Sequence, residues 1–171
     1  MGGYNTELTK WPSSASPQVK ELIDRLFRTL DDTGPGAGDV LADQVFAANG
    51  SIEGHHSFIG TERLYALLSR SCRADADLFS PQEIRRSRDK AWNVITSRRH
   101  EIQQVYVADT SKADDLMLRG TVAVELVNGK KLKGGFAARV TVHGTDGGSP
   151  RVSLYEVFAV SLLMDSQLAS A

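Results

Sequence analysis

The chain predicts an α+β fold: a cone in which a curved, mainly antiparallel sheet wraps around three to four N-terminal helices. Three observations carry that expectation. Apolar residues recur at helical spacing near the start, at Val19, Leu22, Ile23, Leu26, Phe27 and Leu30. The second half instead alternates with a period of two over four long runs, His100–Ala108, Leu116–Val127, Leu132–His143 and Arg151–Leu163. The second and third runs are joined by Asn128-Gly129-Lys130, the chemistry of a tight hairpin turn. Helices laid on one face of such a sheet leave room for a pocket between the layers.

Each element has its own signal. Residues 1–16 are polar and rich in Pro and Ser, and predict an arm on the surface with Trp11 anchored in a groove. Ser16-Pro17 opens the first helix, Ser as N-cap and Pro in the first turn, and Asp31 to Gly36 ends it. A short helix over Asp39–Val45 follows, with Val40, Leu41 and Val45 inward. Ser51–Glu53 and His56–Ile59 read as a small hairpin around Gly54-His55. Gly60-Thr61 caps a third helix carrying Leu64, Leu67 and Leu68. Ser80-Pro81-Gln82-Glu83 is a capping-box start for a fourth, expected to run to about Ile95 with Arg85, Arg86, Arg88 and Lys90 on a solvated face. Residues 17–163 form the domain, flanked by the arm and by a tail over residues 164–171.

Strand alternation assigns the faces. Leu118, Val122, Val124 and Leu126 oppose Arg119, Thr121, Ala123 and Glu125; Phe136, Ala138, Val140 and Val142 oppose Ala137, Arg139, Thr141 and His143. On the last strand Val152, Leu154, Phe158, Val160 and Leu162 share a face with Glu156. The apolar face should meet the helices and line the cavity, drawing Ile102, Leu118, Val122, Phe136 and Phe158 into ligand binding, with His55, His56 and Phe58 from the early hairpin. His55 and His56 are adjacent, so at most one of them enters the pocket. The other face is too apolar for open water and too polar for a core, and predicts a homodimer through Arg119, Thr121, Glu125, Arg139 and Tyr155.

Composition bounds the partners. The 171 residues carry a net charge of −1, with 41% hydrophobic and 24% charged side chains, so no basic field exists to hold a phosphate backbone and nucleic acid is not expected. Cys72 is the single cysteine, which excludes an internal disulfide and a multi-cysteine zinc site. The histidines are not spaced as a metal pair, and no metal or cofactor is expected. No signal peptide, transit peptide or membrane-spanning run is visible, so the expectation is a cytoplasmic protein without membrane contact.

Three residues stand out as candidates for proton transfer. Glu156 interrupts an apolar row, and a buried carboxylate has a raised pKa suited to general acid or base work. His100 opens the first long strand after Arg98-Arg99 and looks into the cavity from its rim, where an imidazole can move a proton near neutral pH. Asp31 or Asp32, ending the first helix, can reach the cavity mouth, although Asp is also common in turns for local reasons. A carboxylate beside His100 would favour its imidazolium form.

Three stretches carry a family pattern: Asp43-Gln44-Val45-Phe46-Ala47 leading to Ser51-Ile52-Glu53, then Phe58-Ile59-Gly60-Thr61-Glu62, and the block ending Ser153-Leu154-Tyr155-Glu156-Val157-Phe158. In these the chain resembles the nuclear-transport-factor-2-like superfamily, which includes the SnoaL-like polyketide cyclases and the scytalone dehydratases. Ala91-Trp92, Arg98-Arg99-His100 and Phe136-Ala137-Ala138-Arg139 are similar to small fungal members. The dehydratase pattern puts its strand histidine on His100 and its helix-end aspartate on Asp31 or Asp32. Its second histidine would fall near Gly120, and its tyrosine near Gly54-His55. The resemblance implies a cofactor-independent isomerase, cyclase or dehydratase acting on a small hydrophobic, oxygenated metabolite such as a polyketide or terpenoid intermediate. The alternative is a non-catalytic ligand-binding or protein-interaction module on the same scaffold.

Overall fold

The computed structural model describes residues 5–54, 80–88, 91–111, 113–145 and 149–164, and of Gly54 and residues 159–164 the backbone alone. Helix α1 (Pro17–Asp31) starts where Ser16 Oγ accepts the Val19 amide at 3.2 Å, and its whole apolar stripe is buried. A helical segment follows, α2 (Ala37–Val40) continuing into a π-helical turn (Leu41–Val45) whose Leu41 and Val45 are fully buried. Strand β1 (Phe46–Gly54) is longer than the sequence pattern suggested. The expected hairpin partner, the helix after Gly60-Thr61 and Cys72 lie outside the described residues.

Helix α3 (Pro81–Arg86) is one turn and a half, not the long helix expected up to Ile95. Ser87 Oγ donates back to the Ile84 carbonyl at 2.6 Å, and from Ile95 onward the β-branched, alternating chain pairs with the next strand instead. Its arginines are cross-links as well as a solvated face. Arg85 bonds Asp39 at 3.1 Å and also Asp43, while Arg88 donates to the Leu30 carbonyl at 2.7 Å.

Strands β2 (Ile95–Val107), β3 (Asp115–Leu126), β4 (Lys131–His143) and β5 (Arg151–Met164) form an antiparallel meander, and β1 adds in parallel beside β5. The order is β1-β5-β4-β3-β2. The alternation on β3 and β4 holds residue for residue, with Leu118, Val122, Val124, Leu126, Phe136, Ala138, Val140 and Val142 all buried. On β5 it does not. A bulge at Ser153, whose hydroxyl donates to the Thr141 carbonyl at 3.1 Å, shifts the pairing from Val142–Val152 to Thr141–Leu154. One extra residue reverses the faces beyond it. Tyr155 therefore points inward and Glu156 outward, the opposite of the sequence expectation. Phe158 sits half-buried in a second bulge, between the Ala138–Val157 and Ala137–Ala159 pairs.

The arm does more than lie on the surface. Its backbone runs along the open edge of β2, with Ile102 donating to the Asn5 carbonyl at 2.8 Å, Lys10 to Gln103 at 3.0 Å and Val105 to Lys10 at 3.0 Å. The Thr9 hydroxyl adds a 2.6 Å bond to the Ile102 carbonyl. That covers an edge which would otherwise expose unpaired amides. Trp11 packs partly buried against the core, with the Lys20 ammonium 5.8 Å from its ring centroid. Among the described residues no helix is long and apolar enough to cross a membrane.

Candidate active site

Asp31 is the last residue of α1, and His100 lies on the inner face of β2 opposite Val122. The helix and sheet bring them together. The Asp31 carboxylate takes the His100 backbone amide on Oδ2 at 2.7 Å and faces the imidazole Nδ1 with Oδ1 at 2.6 Å. A carboxylate only accepts, so the short contact places a proton on Nδ1, and in the neutral ring Nε2 then carries the lone pair. Asp32 turns away and accepts the Gly34 amide at 2.8 Å in a local turn, so Asp31 is the aspartate in contact with His100.

Two further groups hold the carboxylate. Arg98, two residues before His100 on the same face, puts Nε 3.4 Å from Asp31 Oδ1 and donates through its other arm to the Leu30 carbonyl. Asn5 donates from Nδ2 to Asp31 Oδ2 at 2.8 Å. Arg88 and Arg98 both reach the carbonyls at the end of α1, where the helix dipole is negative, and both lie over the Trp92 ring at 5.3 and 5.2 Å.

Aromatic rings enclose the imidazole. Phe27 is 5.2 Å from it, centroid to centroid, and Phe136 meets it edge-on at 5.3 Å. Tyr155 packs edge-on against Phe27 at 5.8 Å. Phe136 has this place because Gly120 leaves it open: a Cβ there would sit 2.9 Å from the Phe136 ring and 2.5 Å from the Glu101 carbonyl oxygen. The position to which the resemblance assigns a second histidine is thus occupied by a phenylalanine ring.

Electrostatics follow from burial and neighbours. Burial disfavours the Asp31 anion, but the bonds from His100 and the charge of Arg98 outweigh it and hold the carboxyl below its usual range. For His100 burial wins. It and the Arg98 and Arg88 charges push the imidazole below its ordinary 6.5 in spite of Asp31. This runs against the expectation of an imidazolium: burial favours the neutral ring. Burial keeps the Tyr155 hydroxyl protonated, above its ordinary value of 10, and it senses the charges of Arg98 and Asp31.

The other candidates are placed elsewhere. Glu156 is on the outer face, paired across the sheet with Arg139, whose guanidinium also makes a two-armed contact with Asp115 at 2.9 and 2.8 Å. The bulge at Ser153 that turned Tyr155 inward is the reason. Ile102, Leu118, Val122 and Phe136 are all buried in the core; Val122 pairs with His100 across the strands and the Phe136 ring meets the imidazole edge-on. His55, His56 and Phe58 lie outside the described residues. Among the described residues no three His, Cys, Asp or Glu side chains converge as a metal ion would need. Sequence reasoning missed Asn5, Arg98, Phe27 and Tyr155. The pair Arg98/His100 at strand spacing is the one signal that could have found any of them.

Neither a protein-family model nor a curated protein matches the chain. Solved structures do match in shape. An NTF2-like protein of unknown function from Burkholderia pseudomallei superposes with a TM-score of 0.57 at 13% identity, covering 92% of this chain and 100% of that one. The architecture is the nuclear-transport-factor-2-like cone. A hypothetical protein with a ketosteroid isomerase-like fold from Catenulispora acidiphila, in complex with trimethylamine, gives 0.56 at 14% identity over 85% of this chain and 87% of that one. TerC co-crystallised with polyporic acid gives 0.55 at 12% identity over 89% and 94%. Among cones of this shape, then, some have been crystallised with small organic ligands.

Proposed function

We propose that this protein is a cofactor-independent acid–base enzyme that moves a proton on an apolar, oxygenated metabolite such as a polyketide or terpenoid intermediate. The buried Asp31–His100 pair carries the reading. With Nδ1–H given to Asp31, His100 Nε2 is the base that takes a proton from a carbon next to a carbonyl. Asp31 stabilises the imidazolium so formed, and the imidazolium returns the proton to another atom of the substrate. Return to carbon completes an isomerisation. In a cyclisation the enolate carbon attacks a second carbonyl of the substrate and the resulting alkoxide takes the proton. Return to a leaving hydroxyl completes a dehydration, with water as the leaving group. Phe27 and Phe136 pack against the imidazole and Tyr155 against Phe27, so the base sits in apolar surroundings that suit an apolar substrate.

The test uses exchange, since any such reaction begins with loss of a carbon-bound proton. The protein is incubated in deuterium oxide with cyclic aromatic ketones, 2-tetralone among them, and deuterium uptake is followed by NMR. Wild type should accelerate uptake, and His100→Gln should lose roughly two to four orders of magnitude of that rate. Equal rates for the two proteins, or binding without exchange, would leave a ligand-binding module as the function.

A further inference from the structure

We propose that Asn5, from the N-terminal arm, is a positioning residue of the Asp31–His100 pair, so that the arm is part of the site. The inference deepens the acid–base reading and rests on it for its catalytic consequence, but its structural claim stands on Asn5 itself.

Asn5 is 1% exposed, and it touches the pair at two points. Its Nδ2 donates to Asp31 Oδ2 at 2.8 Å and to the His100 carbonyl at 2.7 Å. Both partners only accept, so the amide orientation is fixed: the NH2 must face them. One amide therefore ties the carboxylate to the backbone of the very residue whose ring it orients. With Oδ2 held by Asn5 and by the His100 amide, Oδ1 is left aimed at Nδ1. A carboxylate without that tether can rotate about its terminal torsion, and the single tautomer would be lost.

The arm is built to deliver this side chain. The Asn5 amide donates to Asp24 Oδ1 at 3.1 Å, and the Thr6 hydroxyl to the same oxygen at 2.9 Å. Asp24 stands two turns before Asp31 on α1, itself buried and paired with Arg28. The Asn5 carbonyl takes the Ile102 amide on β2. Helix and strand thus both grip residue 5, and the grip lies where they meet at the pair. The fixed orientation has a cost, since Asn5 Oδ1 is buried with no hydrogen-bond partner among the described residues. A buried amide that tolerates an unmet acceptor is held there by what its donors do.

The experiment reads the ring of His100 directly. Nitrogen-15 NMR of wild type at neutral pH should show one protonated Nδ1 and one unprotonated Nε2. In Asn5→Ala the two ring signals should move toward each other, as exchanging tautomers do, and deuterium exchange should fall by up to about a hundredfold, the effect of a small misplacement at a reacting centre. Asn5→Leu, close in volume, should behave the same and covers the case in which Asn5→Ala does not fold. Thr9→Val removes an arm anchor that does not touch Asp31 and should keep the wild-type ring signals. Unchanged ring signals in both Asn5 variants would overturn the proposal, and so would a Thr9→Val effect as large as theirs. If His100→Gln exchanges like wild type, the acid–base reading fails while the tautomer result still decides the role of Asn5.

Discussion

His100 Nδ1 and Asp31 Oδ1 lie 2.6 Å apart across 69 residues of sequence, one on the last turn of a helix and the other on a strand. The Asp31 side chain is 4% exposed and also receives Arg98, Asn5 and the His100 amide. Removing it orphans buried donors and leaves Arg98 without its carboxylate. Asp31→Ala should therefore lose about 3–5 kcal/mol of stability, the cost of breaking a buried ion pair from one side. Urea denaturation followed by tryptophan fluorescence measures this; a loss below about 1 kcal/mol would mean the network is not structural.

Gly120 is required for a reason of space. The hypothetical Cβ contacts, 2.5 Å to the backbone oxygen of Glu101 and 2.9 Å to Phe136, fall where neighbouring strand and ring cannot both yield. Gly120→Ala is expected to cost about 1–3 kcal/mol by overpacking and to displace Phe136 from His100. The His100 ring proton shifts, which sense the edge-on Phe136, report the displacement; an unchanged spectrum and stability would refute it.

How legible this was depended on locality. The stripe of α1 and the alternation of β3 and β4 are properties of short windows, and each appears in the structure residue for residue. The faces of β5 were misread because a bulge is set by pairing with β4, not by the strand's own letters, so Glu156 and Tyr155 exchanged sides. Helix α3 was overextended because Val94-Ile95-Thr96 owes its extended state to β3, a partner some thirty residues on. His100 was legible as a candidate near the end of the first helix, but β2 begins at Ile95, so the histidine lies buried within the strand and not at its start on a rim. Burial with the Arg98 and Arg88 charges lowers its pKa against the effect of Asp31. Asn5 gave no signal: a single Asn in a polar arm looks the same whether it is in water or clamped at a buried pair.

The outer sheet face carries a row of exposed apolar side chains beside its charges. Tyr106 and Met117 pair across β2 and β3 at 48% and 40% exposure, and Met117 lies opposite Arg139 on β4. With Arg119, Thr121, Glu125 and Arg139 on the same side, this face is proposed to bury itself against a second copy; Tyr155, turned inward, has no part in it. Light scattering at micromolar concentration should give a dimer mass, and Tyr106→Lys with Met117→Lys should give a monomer. A monomeric wild type would rule the interface out.

Acid should destabilise the protein earlier than its carboxylates alone would. His100 is lowered in the folded state from its ordinary 6.5, by burial first and by Arg98 and Arg88 after it. As the pH falls through 6.5 the unfolded chain takes up a proton that the folded one refuses, so unfolding gains. Stability is therefore full above the unfolded value and is lost as the pH drops toward the folded one. Asp31, also lowered, adds a second loss starting near its ordinary 3.8 and continuing below it. The melting temperature should be flat above about pH 7 and fall from there to about pH 5, before most carboxylates begin to titrate. His100→Gln cannot take up that proton and should be flatter over the same interval, while keeping the fall at lower pH that belongs to Asp31. Melting curves by circular dichroism across that range decide it. If wild type instead gains stability between about pH 7 and 5, the histidine is raised in the folded protein, and the imidazole is the acid of the pair and not its base.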